Sequence, residues 1–98
     1  MEEKKIENYL IRQIKARGGL CLKFVSSSMA GVPDRIIMLP DKQVFFVELK
    51  AKGKKPRALQ SAVHRAFEQR GFKVYVIDSK EQADKAIEEA TNVEIHTP

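Results

Sequence analysis

Apolar positions along this chain change period several times, and each change marks an element. From Glu2 to Arg17 they recur at helical spacing, with Leu10, Ile11 and Ile14 on one face, and Gly18-Gly19 closes the pattern. Leu20 to Val25 reads as a strand. Arg35-Ile36-Ile37-Met38-Leu39 reads as another, and Pro40-Asp41-Lys42-Gln43 as the tight turn leading into Val44-Phe45-Phe46-Val47. Pro56 suits a helix start and Gly71 lies just past its end. The face assigned to the core of that helix is Leu59, Ala62, Val63, Ala66 and Phe67, with Gln60 at its margin. Phe72 to Ile77 is a buried strand, Ser79 can cap a last helix over 80–90, and Asn92 to Pro98 is a tail with a short strand at Val93-Ile95. The order αβββαβα predicts an α/β fold, with a central mixed sheet flanked by helices on both faces. No repeat or linker interrupts it, so residues 1–98 are expected to form a single domain.

The third strand ends in Glu48-Leu49-Lys50. Side chains two apart on a strand share a face, so Glu48 and Lys50 project together while Leu49 points away with Phe45 and Val47. Charges at the end of an apolar run are costly unless they are paired or bind metal. Pro33-Asp34 opens the preceding strand, and the hairpin brings Asp34 opposite the end of the next one, next to Glu48. Two carboxylates and an ammonium around a divalent cation are the equipment for hydrolysing a phosphodiester bond. Glu7, flanked by Leu10, Ile11 and Ile14, sits in the apolar face of the first helix and is a candidate third acid.

These residues resemble the PD-(D/E)xK nuclease superfamily and, within it, the small stand-alone virus-type VRR-NUC domains. The matching pieces are Glu7, Gly31-Val32-Pro33-Asp34-Arg35, Phe46-Val47-Glu48-Leu49-Lys50 and Gln60, so the resemblance spans roughly residues 3–78. It implies a restriction-endonuclease-like core. It further implies Asp34, Glu48 and the Leu49 carbonyl as metal ligands, with Glu7 contributing directly or through water. Lys50 would orient or help deprotonate the attacking water, and Gln60 would hydrogen-bond within the site. Mg²⁺ is the expected cofactor, with Mn²⁺ as its substitute, and no small-molecule cofactor is expected. The implied products carry a 5′-phosphate and a 3′-hydroxyl. Viral members look like Holliday-junction resolvases, which implies a homodimer acting on branched DNA. A monomeric nickase or flap nuclease, a non-catalytic DNA-binding subunit and an RNA nuclease remain as alternatives.

Charge refines this picture. The chain has 98 residues and a formal net charge of +5. From Leu49 to Phe67 there is no acid, while Lys50, Lys52, Lys54, Lys55, Arg57 and Arg65 form a basic block. Lys52, Lys54, Lys55 and Arg57 are candidate DNA-phosphate contacts, and so are Ser26, Ser27 and Ser28 in the small polar loop before Pro33-Asp34. Gly31 would let that loop pass close to DNA. The acid-rich stretch 78–94 would be avoided by nucleic acid. One cysteine, Cys21, excludes an intrachain disulfide and a cysteine-rich zinc site, and suits a core position. His64 and His96 show no ligand spacing and read as ordinary surface or border residues. No apolar run approaches the roughly 18 residues of a membrane helix, so the expected setting is intracellular, the host cytoplasm if the chain is viral.

Overall fold

The computed structural model describes the backbone of residues 2–95 and the side chains of 3–91. It contains α1 (Glu2–Ala16), β1 (Leu20–Lys23), β2 (Arg35–Leu39), β3 (Gln43–Leu49), α2 (Ala58–Gln69), β4 (Lys73–Ile77) and α3 (Lys80–Ile95). The four strands form one sheet in the order β1-β2-β3-β4. The first three are antiparallel neighbours, with Leu20 opposite Met38 and Arg35 opposite Val47. The fourth runs parallel to β3, with Leu49 opposite Ile77, and α2 is the crossover between them. This is the mixed sheet that the alternation of periods predicts. The strand expected at Val93-Ile95 is not formed, because α3 continues through those residues. His96 lies outside the described residues.

The two sheet faces are covered differently. On one, Ile37, Leu39, Phe45, Val47, Leu49 and Ile77 meet Ile6, Leu10 and Ile14 of α1 and Ala83, Ala86 and Ile87 of α3, with Cys21 packed at the edge. Fully burying such aliphatic or aromatic side chains stabilises by about 1.5–3 kcal/mol each. The Tyr9 hydroxyl donates to Asp84 at 2.7 Å and ties the two helices together. On the other face Phe46 is the hub, its ring centroid 5.6 Å from Phe24, 4.9 Å from Phe67 of α2 and 6.0 Å from Phe72.

Two glycines set close approaches. A Cβ at Gly19 would stand 2.8 Å from both Ile14 Cγ2 and Leu39 Cδ2 and 2.9 Å from the Met38 carbonyl, so only glycine lets the chain turn from α1 into β1 against β2. At Gly31 the backbone is left-handed, with φ +87°, and a Cβ would lie 3.2 Å from Leu59 and Val63. That closeness packs the loop before β2 on α2.

The buried face of α2 is also turned relative to the expectation. Leu59 is 56% exposed, and Val63 and His64 are the buried pair. The stripe that faces the sheet is Gln60, Val63, His64 and Phe67, which has regular helical spacing but two polar members.

Candidate active site

Register alone brings the first acid to the second. With Arg35 opposite Val47, the residue before β2 falls beside the end of β3. Asp34 is held there by both its parts. Its carbonyl accepts from the Phe24 N–H at 2.8 Å, and its Oδ2 accepts from the Leu49 N–H at 2.8 Å. In an extended strand the N–H and C=O of one residue point the same way. The Leu49 carbonyl therefore faces the Asp34 side as its amide does.

Glu48 points to the α2 face and is only 2% exposed. Its Oε2 accepts from Gln60 Nε2 at 3.0 Å and lies 3.4 Å from Lys50 Nζ. Gln60 Oε1 accepts from Lys50 Nζ at 3.0 Å and from the Arg57 N–H at 3.0 Å, so one amide caps α2, holds the lysine and holds the glutamate. The other carboxylate oxygen, Glu48 Oε1, is buried without a hydrogen-bond partner. Burial first, and the Asp34 charge second, push the Glu48 carboxyl above its ordinary range, against the pull of Lys50.

Opposite Oε1 stands a residue that ligand-spacing rules do not find. His64 Nε2 is 3.7 Å from Glu48 Oε1, buried, and equally without a hydrogen-bond partner. Burial holds its pKa below the usual value, outweighing the charges of Glu68 and Asp34. Its signal in the sequence is its place four residues after Gln60, one helical turn along the same face.

Glu7 does not join this group. Its Oε2 accepts from Arg35 Nε at 3.1 Å and Nη2 at 2.7 Å, and Oε1 lies 3.5 Å from Lys4 Nζ. Burial raises its pKa, but the hydrogen bonds and charge of Arg35, with Lys4, outweigh that and leave it lowered. Arg35 follows Asp34 and belongs to the α1-facing side of β2. The ion pair thus anchors α1 beside the site, and the convergence of three acids expected from the sequence is not formed. Among the described residues no group of three His, Cys, Asp or Glu side chains is placed to hold a metal ion together.

What the structure does offer a cation is two carboxylates side by side, one with an unsatisfied buried oxygen, next to a backbone carbonyl. That donor set is hard, all oxygen and incomplete without water, which fits a cation that keeps several waters and binds through one or two carboxylates.

The candidate phosphate contacts are dispersed around this centre. Lys54, Lys55 and Arg57 are exposed, and the loop carrying them is pinned where the Gly53 N–H donates to Asp78 Oδ2 at 3.1 Å. Lys52 lines a cavity of about 250 Å³ together with Lys5, Ile6, Asp78, Ser79, Lys80 and Glu81. Lys5 and Lys80 escape sequence reasoning, because they come from two helices far apart in the chain. Ser27 and Ser28 are exposed, whereas Ser26 Oγ turns inward on its own loop and accepts from the Met29 N–H at 3.1 Å. Among the described residues no helix is long and apolar enough to cross a membrane.

Comparison with known proteins places the chain among nucleases of one family. No family model matches the chain. It is 40% identical over 81 residues to "Putative nuclease p44" of Acyrthosiphon pisum secondary endosymbiont phage 1, an alignment covering 83% of this chain and 87% of that protein. A solved structure described as a VRR_NUC domain matches with a TM-score of 0.84 and 35% identity, covering 90% of this chain and 96% of the other.

Proposed function

Because the chain belongs to the VRR-NUC family of nucleases, we propose that it is a divalent-metal-dependent DNA endonuclease, and that branched DNA such as a four-way junction is its substrate. The observation that carries this reading is the cluster at the end of β3: buried Glu48 bonded to Gln60 and paired with Lys50 at 3.4 Å, with Asp34 beside it. A buried carboxylate next to a second one, with one lysine facing the pair, is expensive to keep, and a cation lowers the cost.

Asp34, Glu48 and the Leu49 carbonyl would hold that cation, Mg²⁺ or Mn²⁺. When bound, it supplies positive charge against the phosphate oxygens and makes water easier to deprotonate. Lys50 sits with its ammonium fixed by Gln60 Oε1 and aimed along the same face, where it orients a water for attack on phosphorus. Gln60 keeps both Lys50 and Glu48 in place through one planar amide. The exposed Lys54, Lys55 and Arg57 follow directly on this strand and hold flanking phosphates. Opposed incisions at a junction call for two copies. The free edge strand β1 supports that, with Leu20 and Leu22 at 55% and 43% exposure.

The test is incubation of a fluorescent four-way junction, a matched duplex and a single strand with Mg²⁺, Mn²⁺ or EDTA, alongside a solution mass measurement. Metal-dependent cutting of the junction in preference to the duplex, by a dimer, is the expected result. Cutting of every substrate by a monomer would indicate a nickase of little shape preference. No cutting with either metal would leave a DNA-binding protein that keeps the nuclease fold.

A further inference from the structure

His64 is the one buried polar side chain of the site that the proposed chemistry does not use, and it faces the one carboxylate oxygen that has no protein partner. Among the described residues, Glu48 Oε1 and His64 Nε2 are the two buried side-chain atoms without a hydrogen bond. They face each other at 3.7 Å, inside a wall formed by β3 and α2. We infer that His64 is a positioning residue for Glu48: its Nε2 carries the proton and donates to Oε1, fixing the plane in which the carboxylate meets its cation.

Three constraints lead there. An ionised carboxylate only accepts, so the group facing it must be a donor, and imidazole donates from Nε2 both as the Nε2–H tautomer and as the cation. Oε2 already takes Gln60 at 3.0 Å and has Lys50 at 3.4 Å, which fixes that oxygen but leaves the carboxylate free to swing about it. A third donor on Oε1 removes the swing, and the approach needed to reach ordinary hydrogen-bond length is about 0.7 Å. Finally, Gln60 and His64 stand one helical turn apart on α2. One rigid element therefore grips both oxygens of the same carboxylate. Partners of this kind behind a ligating carboxylate typically change metal affinity about 10–100-fold when removed.

This inference rests on reading Glu48 as a cation-holding carboxylate, and its tests separate the two. Nitrogen-15 spectra of the wild-type imidazole in EDTA report which ring nitrogen is protonated. Protonated Nε2 is expected, and a bare Nε2 overturns the assignment whatever the enzyme cuts. Mn²⁺ binding, followed without DNA by the loss of the free-ion electron paramagnetic signal, is then compared in wild type, His64→Leu and His64→Gln. Leu should lower affinity by about 10–100-fold. Gln, whose amide nitrogen falls near the position of Nε2, should recover most of it. In junction cleavage kcat should follow the same order with KM nearly unchanged. Equal Mn²⁺ affinity in wild type and His64→Leu, or failure of Gln to recover what Leu loses, overturns the role. If wild type binds no Mn²⁺ and cuts nothing, the nuclease reading fails, and the nitrogen-15 result alone decides whether His64 holds Glu48.

Discussion

Glu48→Gln is expected to make the protein more stable and inactive at once. The side chain is 2% exposed, and in the metal-free protein the donor facing its ionised Oε1, His64 Nε2, stands at 3.7 Å, longer than an ordinary hydrogen bond. Leaving a buried acceptor unsatisfied costs about 1–3 kcal/mol, and more when it is charged. In the variant the amide oxygen still accepts from Gln60 Nε2, with Lys50 Nζ nearby, and the NH₂ takes the place of Oε1, facing His64 Nε2. His64 then moves its proton to Nδ1 and accepts, so a long contact to a buried charge is replaced by a hydrogen bond between neutral groups. Against this stands the weakened attraction to Lys50, which is 19% exposed and keeps its bond to Gln60, a loss of about 1 kcal/mol or less. The net expectation is a gain of about 1–2 kcal/mol in EDTA at pH 7, read by urea unfolding, with Tm rising roughly 4–8 °C per kcal/mol for a domain of this size. The gain should depend on pH. Burial and Asp34 raise the Glu48 pKa, so the folded state holds more protons than the unfolded one between the ordinary value of 4.5 and the raised one. Wild-type stability therefore recovers as pH falls through that window, and the gap to Gln closes. Saturating Mg²⁺ should reverse the ranking, because wild type alone gains about 2.7 kcal/mol at 100 times Kd. A variant less stable than wild type in EDTA, or a gap that does not narrow on acidification, would refute the reasoning.

Other outcomes follow from the same geometry. Lys50→Ala should abolish cutting while junction affinity changes little, since its proposed part is in the chemical step; equal loss of both in a binding and cleavage comparison would point to substrate positioning instead. Replacing Lys54 and Lys55 together by Ala should weaken DNA binding and flatten the plot of log affinity against log salt by about 0.9 for each phosphate no longer neutralised, measured by fluorescence anisotropy. Gly19→Ala pushes a methyl to 2.8 Å from Ile14 and Leu39 and should cost about 1–3 kcal/mol in a urea melt. Arg35→Ala leaves Glu7 part-buried without its main partner and should cost about 1–3 kcal/mol at neutral pH. Because the folded Glu7 pKa is lowered, that pair stabilises above the ordinary carboxyl value of 4.5 and stops doing so as pH falls through the folded value. The difference between Arg35→Ala and wild type should therefore shrink in acid.

The parts of the fold that are legible in the sequence are those where one physical demand sets the pattern. Strand alternation places Glu48 and Lys50 on one face and Leu49 on the other, and the Pro40 to Gln43 turn sets the hairpin register that carries Asp34 to Glu48. Where two demands compete, the pattern misleads. In α2, hydrophobicity nominates Leu59 and Ala62 for the core, yet the stripe that packs includes Gln60 and His64. The helix is rotated so that its polar members reach a buried carboxylate. Glu7, on the apolar side of α1 as its spacing requires, finds its partner 28 residues away in Arg35, a pairing that no local spacing encodes. The departure in α2 has a definite cause. Glu48 cannot be buried at the end of β3 unless nearby elements bring donors to it, and α2, as the crossover from β3 to β4, is the helix laid across that face. A polar pair four residues apart in an otherwise apolar helical stripe, directly after a strand that ends in a charge, is thus not noise in the pattern. It is the complement of the buried charge, and local rules fail at this place because the chain departs from the cheapest fold there to build a site.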